Sequence, residues 1–231
     1  MRLAVVAALA ALAAPLSAAA VDGDGHVVRQ RREVPAFQGI QLAGSLDLEV
    51  KVGPAQSVVV VADENLQPLI VTEVRGGTLS IRNERDLRSF RGARVEVTVP
   101  GLERLSLAGS GNASVDGAHG DQELTMAGSG HLRWTGTAGK LRVQLAGSGS
   151  AELDGRAERL DAAVKGSGEV LGRRLVAHDA VVQIAGSGDA ELTLSGGTLR
   201  ASVAGSGDLR WWGEGRVEQA AVAGSGRITR G

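Results

Sequence analysis

Gly-Ser-Gly recurs seven times in this chain, starting at Gly109, Gly128, Gly147, Gly166, Gly186, Gly205 and Gly224, with successive spacings of 19, 19, 19, 20, 19 and 19. The copies are Gly109-Ser110-Gly111, Gly128-Ser129-Gly130, Gly147-Ser148-Gly149, Gly166-Ser167-Gly168, Gly186-Ser187-Gly188, Gly205-Ser206-Gly207 and Gly224-Ser225-Gly226. A flexible linker has no reason to keep such a register, so the period belongs to a folded repeat. Fourteen of the 34 glycines sit in these copies, which turns an apparent bias toward flexibility into a periodic requirement.

Around each copy, apolar and polar positions alternate. Two residues before the first Gly stand Leu107, Met126, Leu145, Val164, Ile184, Val203 and Val222; four residues after it stand Ala113, Leu132, Ala151, Val170, Ala190, Leu209 and Ile228. The opposite parity, three residues after, carries Asn112, His131, Ser150, Glu169, Asp189, Asp208 and Arg227. A period of two marks strands with one buried face, and two glycines per unit argue against helix. Gly117, Gly136, Gly155 and Gly213, eight residues after their copies, supply a turn. One such unit cannot bury its apolar face alone, but stacked units share a continuous core. The expected fold is therefore all-β: a right-handed single-stranded parallel β-helix, or β-solenoid, of ~19-residue coils stacked ~4.8 Å apart. A side chain at the paired glycines would collide with its equivalents in neighbouring coils.

Composition narrows the function classes. A chain 43% hydrophobic and 22% charged is too apolar to stay disordered. With no cysteine there are no disulfides, iron–sulfur clusters or thiolate zinc sites. A net charge of −1 gives no electrostatic reason to expect nucleic acid or an anionic membrane as partner.

Four segments are expected. Residues 1–20, with Arg2, an apolar run from Leu3 to Leu16 and Ser17-Ala18-Ala19-Ala20, read as a secretory signal peptide cleaved after Ala20, too short in its apolar part to span a membrane. No cysteine follows it, so a lipoprotein anchor is not expected, and the protein is placed in the periplasm or at the cell surface. Residues 21–29 read as a flexible leader. Residues 30–100 form irregular coils and an N-terminal cap, with Ala43-Gly44-Ser45 as a degenerate copy of the motif and room for roughly three coils between Gly44 and Gly109. Residues 101–231 form the seven regular coils, one continuous domain with 30–100.

No catalytic, cofactor or metal site emerges. The repeated serines lack the strand–Gly-x-Ser-x-Gly–helix setting of a nucleophile, and His26, His119, His131 and His178 recur at no fixed position to serve as a base. A third Gly and a helix are missing for a dinucleotide site, and Val27 stands where an EF-hand starting at Asp22 needs Gly. The serines point outward by parity, or inward if the glycines bend the strand. Candidate surface contacts are Asn112, His131, Asp189, Asp208 and the outward-facing Trp212, whose neighbour Trp211 falls on the core side.

Several stretches together resemble a bacterial family: Val34-Pro35-Ala36-Phe37-Gln38-Gly39-Ile40, the Gly44-Ser45-Leu46-Asp47-Leu48 strand, Val99-Pro100-Gly101-Leu102 leading into Leu105-Ser106-Leu107-Ala108-Gly109, and the iterated Gly-Ser-Gly. They are similar to the auto-transporter adhesin head GIN domain over roughly residues 34–230. The resemblance implies an exported right-handed β-helix in the cell envelope, and it carries over no catalytic residue.

The leading expectation is a non-enzymatic envelope or extracellular module that binds a surface glycan or an envelope protein through its polar outward columns. The alternative is a structural protein that self-associates end to end, since only Arg227 to Gly231 follow the last copy. A polysaccharide-acting β-helix enzyme stands third, because spacings of 19 and 20 leave no insertion in which to build a catalytic groove.

Overall fold

The computed structural model describes residues 20–88 and 92–231, so the expected signal peptide lies, except for Ala20, outside the described residues. Three-quarters of the molecule is strand, wound into a parallel β-solenoid of about seven turns with ~19-residue coils.

The regular part begins at β10 (Arg104–Gly109), preceded by β1 (Val21–Asp22), β2 (Val27–Arg31), β3 (Gly39–Gly44), β4 (Asp47–Val52), β5 (Ser57–Asp63), β6 (Ile70–Arg75), β7 (Thr78–Asn83), β8 (Leu87–Arg88) and β9 (Arg94–Val99). After it come β11 (Ala113–His119) and β12 (Gln122–Gly128), then five elements that each run through most of a coil or begin one: β13 (His131–Gly147), β14 (Ser150–Gly166), β15 (Glu169–Gly186), β16 (Asp189–Gly205) and β17 (Asp208–Gly224), with β18 (Arg227–Arg230) last. Register follows the repeat: Gly109 pairs with Gly128, and the chain of partners continues through Gly147, Gly166, Gly186, Gly205 and Gly224. The one 20-residue spacing is absorbed as a register shift around Gly172 to Val176, where β15 carries an extra residue.

The apolar columns fill the core. In the coil of β14, Leu153, Leu160 and Val164 are at most 1% exposed, each burial stabilising by roughly 1.5–3 kcal/mol. Trp134 is the largest side chain wholly inside. Its indole N–H donates to the buried Gln122 Oε1 at 2.6 Å, which satisfies a polar group that would otherwise be costly there.

The motif's geometry explains both glycines. The first Gly of every copy has φ between +113° and +135°, a region L-residues rarely enter. Its carbonyl accepts the N–H of the serine one coil further on, as in Ser148 N to Gly128 O at 3.0 Å and Ser187 N to Gly166 O at 2.9 Å. A Cβ on the first glycine would overlap the carbonyl oxygen of the preceding coil's first glycine, and one on the second glycine of Gly130 through Gly226 would overlap that of the preceding second glycine. All seven serines are exposed, which settles their direction as outward.

The N-terminal part departs from simple winding. β3 and β4 lie directly beneath β10 and β11, with Gly44 paired to Gly109 and itself at φ +122°. The coil below them comes later in sequence: β7 pairs in parallel with β3, and β9 with β4. The chain thus leaves β4, builds the end of the stack, returns underneath, and then steps over its own earlier coil through Pro100 to Glu103 to reach β10. Below this lowest coil the ladders turn antiparallel, β6 on β7, β5 on β9 and β2 on β5. A short 3-10 helix, Glu64–Leu69, joins β5 to β6, with Leu66 wholly buried in the core. Two coils and an antiparallel cap therefore stand where about three coils are expected.

The expected flexible leader is corrected as well. Within residues 21–29 lie β1, paired with β8, and the start of β2, paired with β5. The intervening turn is pinned by Gly25 N–H on Asp63 Oδ1 at 2.9 Å and by Asn65, whose side chain accepts from Asp24 N and donates to Asp22 O. These bonds come from residues about 40 positions away, which a local reading of glycines and aspartates does not reveal.

Candidate functional site

The column three residues after each first glycine has a structural task. Its side chains accept the backbone N–H of the next coil: Asn112 N on Asp47 Oδ1 at 3.1 Å, His131 N on Asn112 Oδ1 at 3.1 Å, Asp208 N on Asp189 Oδ1 at 2.7 Å and Arg227 N on Asp208 Oδ1 at 2.9 Å. Short Asx side chains reach a backbone donor at a bend, which is why Asp and Asn recur here. Arg227 also holds the Asp208 carboxyl below the usual carboxylate range by donating to it. His131 Nδ1 sits 2.8 Å from Ser150 Oγ, and its ring lies beside Glu152, which also meets Arg133 and Arg174. Asn112, His131, Asp189 and Asp208 thus share one column, in two hydrogen-bonded runs separated by Ser150 and Glu169, and keep their remaining edges in solvent. Trp212 is half-buried on the same side of the stack, with the Arg173 guanidinium 4.6 Å from its ring centre.

A second ladder of this kind lies at the next bend. Asp121 Oδ1 accepts Lys140 N at 2.8 Å, and Asp179 Oδ1 accepts both Thr198 N and Thr198 Oγ, at 2.8 and 2.7 Å. The Thr198 bonds pull the Asp179 carboxyl down from its ordinary value.

A deeper concavity lies elsewhere, on the strands that precede Gly-Ser-Gly. A groove of about 560 Å³ runs between the stepping-over segment Gly101 to Glu103 and the turn His119 to Asp121. That turn exists because β11 and β12 are separate strands with Gly120 at φ +81°, whereas the next coils run as unbroken strand. Beyond it a notch of about 230 Å³ opens where Ala163 stands between its ladder partners Gln144 and Gln183. Arg142 lines both, so the two form one track along the stack.

Charges along the track alternate. Arg104, Glu123, Arg142 and Asp161 are successive partners in register. Their ion pairs are uneven: Arg159 and Lys140 both reach Asp161, at 2.9 and 3.2 Å, but Arg104 to Glu103 is 3.5 Å and Arg142 to Glu123 is 4.0 Å. None of the five residues expected as surface contacts lines this track. The signal for it was in the repeat, five residues before each first glycine, where the sign alternates through four coils. Among the described residues, no group of three or more His, Asp or Glu is placed to hold a metal ion, and no helix is long and apolar enough to cross a membrane.

Comparison with known families matches residues 36–215 to the one described as "Putative auto-transporter adhesin, head GIN domain". Comparison with curated proteins gives no match. Among solved structures, a putative lipid binding protein from Parabacteroides distasonis ATCC 8503 is similar at 26% identity and a TM-score of 0.74, over 92% of this chain and 100% of that one. A putative adhesin from Bacteroides fragilis NCTC 9343 shares the fold at a TM-score of 0.84 and 21% identity, over 91% and 99% of the two chains. Another putative adhesin from Parabacteroides distasonis ATCC 8503 does so at 0.73 and 23%, over 92% and 100%.

Proposed function

This chain belongs to the auto-transporter adhesin head GIN domain family, and from that premise we propose that it is an exported, non-enzymatic envelope or cell-surface module that binds a surface glycan or an envelope protein. The observation that carries the reading is the outward face itself: polar side chains stand in register on coils ~4.8 Å apart, held by backbone ladders rather than by mobile loops. Such a surface suits many weak, simultaneous contacts, whose avidity rises when their spacing is rigid. The repeated serines, exposed and with no histidine in a recurring position beside them, give no nucleophile–base pair. The family description and the names of the two similar adhesins support the same class, while the third similar structure is named a lipid binding protein. The test is binding of the purified chain to its own cells, to cell-wall glycans and to lipopolysaccharide; absence of binding to all three defeats the reading.

Self-association is a second reading, favoured by one specific observation. β18 pairs with only Asp208 to Trp211 of β17, and further along β17 the core-column residues Val217 and Val222 are 41% and 46% exposed. Sedimentation should then show mass rising with concentration. A constant monomer mass rejects it.

A further inference from the structure

Arg104 and Arg142 are two coils apart in one register column, about 9–10 Å at ordinary strand spacing, and both line the large groove. Charge-assisted pairs close to ~2.7–2.9 Å, so contacts of 3.5 and 4.0 Å to Glu103 and Glu123 leave both guanidinium forks with donors to spare. A free fork fits a planar carboxylate bidentately. Between the two cations stands Glu123, and beyond Arg142 stand Gln144, Asp161 and Gln183, groups that accept from or donate to hydroxyls. No Trp, Tyr or Phe ring lines either part of the track, and His119 is the one imidazole there.

We propose that this track binds an extended acidic polysaccharide lying along the solenoid axis, with carboxylates on alternate sugars taken by Arg104 and Arg142. The proposal rests on the binding-module reading above and names its ligand class and site. Equatorially linked pyranoses in an extended chain advance by close to one coil spacing per ring, so every second ring meets an arginine and the intervening ring meets Glu123. The interleaved acids Glu123 and Asp161 would repel an unbroken anionic surface, which sets lipid headgroups and nucleic acid aside. With no Trp, Tyr or Phe platform in the track, edge-on hydrogen bonding is the main mode of recognition. The backbone register fixes the spacing in advance, so little ordering cost is left for binding.

The experiment compares the chain with its R104Q/R142Q variant and with R31Q/R75Q, which alters two exposed arginines of the cap. Probes are a polysaccharide of alternating uronic acid and hexosamine, the same polymer with its carboxyls reduced, and anionic vesicles, measured by calorimetry together with binding to whole cells. The expected result is saturable binding of the acidic polymer that weakens with salt. Affinity should fall roughly tenfold or more both in R104Q/R142Q and with the reduced polymer, and stay unchanged in R31Q/R75Q. Equal binding by R104Q/R142Q, equal binding of the reduced polymer, or preference for vesicles overturns the assignment. If the wild-type chain binds cells but not the acidic polymer, the track assignment fails and the adhesive reading survives. If it binds neither, both fail.

Discussion

The coils from β12 to β17 and the segment before Pro100 are built from the same strand geometry, yet they store their information differently. In the regular stack a residue's neighbour is 19 or 20 positions along except at the register shifts, so nearly every structural demand is written once per period. In the N-terminal segment the neighbours of β3 lie in β10 and β7, and those of β4 in β11 and β9. Space and sequence are out of step there because a later coil is slid beneath an earlier one. The regular part is stabilised by one repeated bargain with the backbone, the cap by individual side chains such as Leu66 and Asp63.

The sharpest way to break this comparison is to put the same substitution at a motif glycine of the regular stack and at a glycine of the segment that joins the two regions. Gly166→Ala places a Cβ at φ +113° and against the Gly147 carbonyl that accepts Ser167 N. Strain and loss of the ladder bond together should cost about 3 kcal/mol or more, with hydrogen exchange accelerating in β14 and β15. Gly101→Ala meets open space at an ordinary φ and should change stability by no more than about 0.5 kcal/mol. Equal effects in chemical unfolding would show that the motif glycines are not a backbone requirement.

The same contrast explains what could be read in advance. Inward columns such as Leu105-Leu124-Val143 and the glycine pairs were legible because period two and period nineteen coincide in them. The cap was not, since Asp24, Asn65 and Asp63 meet across about 40 residues with no repeat to align them. The Asx ladder was seen as a polar column, but its partner is a backbone N–H, which leaves no sequence signal of its own. The acidic and basic track was visible as alternating sign, whereas its depth was not: the walls come from Gly101 to Glu103, a segment whose path over an earlier coil depends on the unseen order of stacking.

A second prediction sharpens the difference between the ends. Leu66→Ala removes a wholly buried side chain from the 3-10 helix over the first coils and should cost roughly 2–5 kcal/mol. Val222→Ala, in the core column of β17 but 46% exposed, should cost less than half as much. Solenoids unfold in parts, so the measurement is residue-level hydrogen exchange rather than one melting point. L66A should raise exchange first in β5, β6 and β7 and leave β16 protected; uniform loss across the stack would mean the cap and coils form a single cooperative unit.

The smallest expected effect concerns the ladders. Thr198 binds the Asp179 carboxylate through both N–H and hydroxyl and lowers its proton affinity in the folded chain. A carboxyl whose folded affinity is depressed adds stability above its unfolded pKa, and that stability is lost as pH falls through the folded value. The group is only partly buried, so screening keeps the contribution small, and its loss falls in acid, at and below the ordinary carboxylate range. Asp179→Asn keeps the Oδ1 acceptor and removes the charge. It should therefore match the wild type in strongly acid solution and fall slightly below it at neutral pH, whereas Asp179→Ala should be weaker at both, by about 1 kcal/mol at neutral pH. A difference between wild type and D179N that is the same at both pH values would show that the ladder works through the shape of the Asx side chain alone. Cap carboxylates supply the contrast, because Glu96 is held down by hydrogen bonds and charge from the Arg29 and Arg94 side chains and not by a backbone ladder. The stability Glu96 contributes, read as the difference between wild type and E96Q at neutral and acid pH, should shrink in moderate salt, while the corresponding D179N difference should keep more of its size because it comes from the Thr198 hydroxyl and N–H.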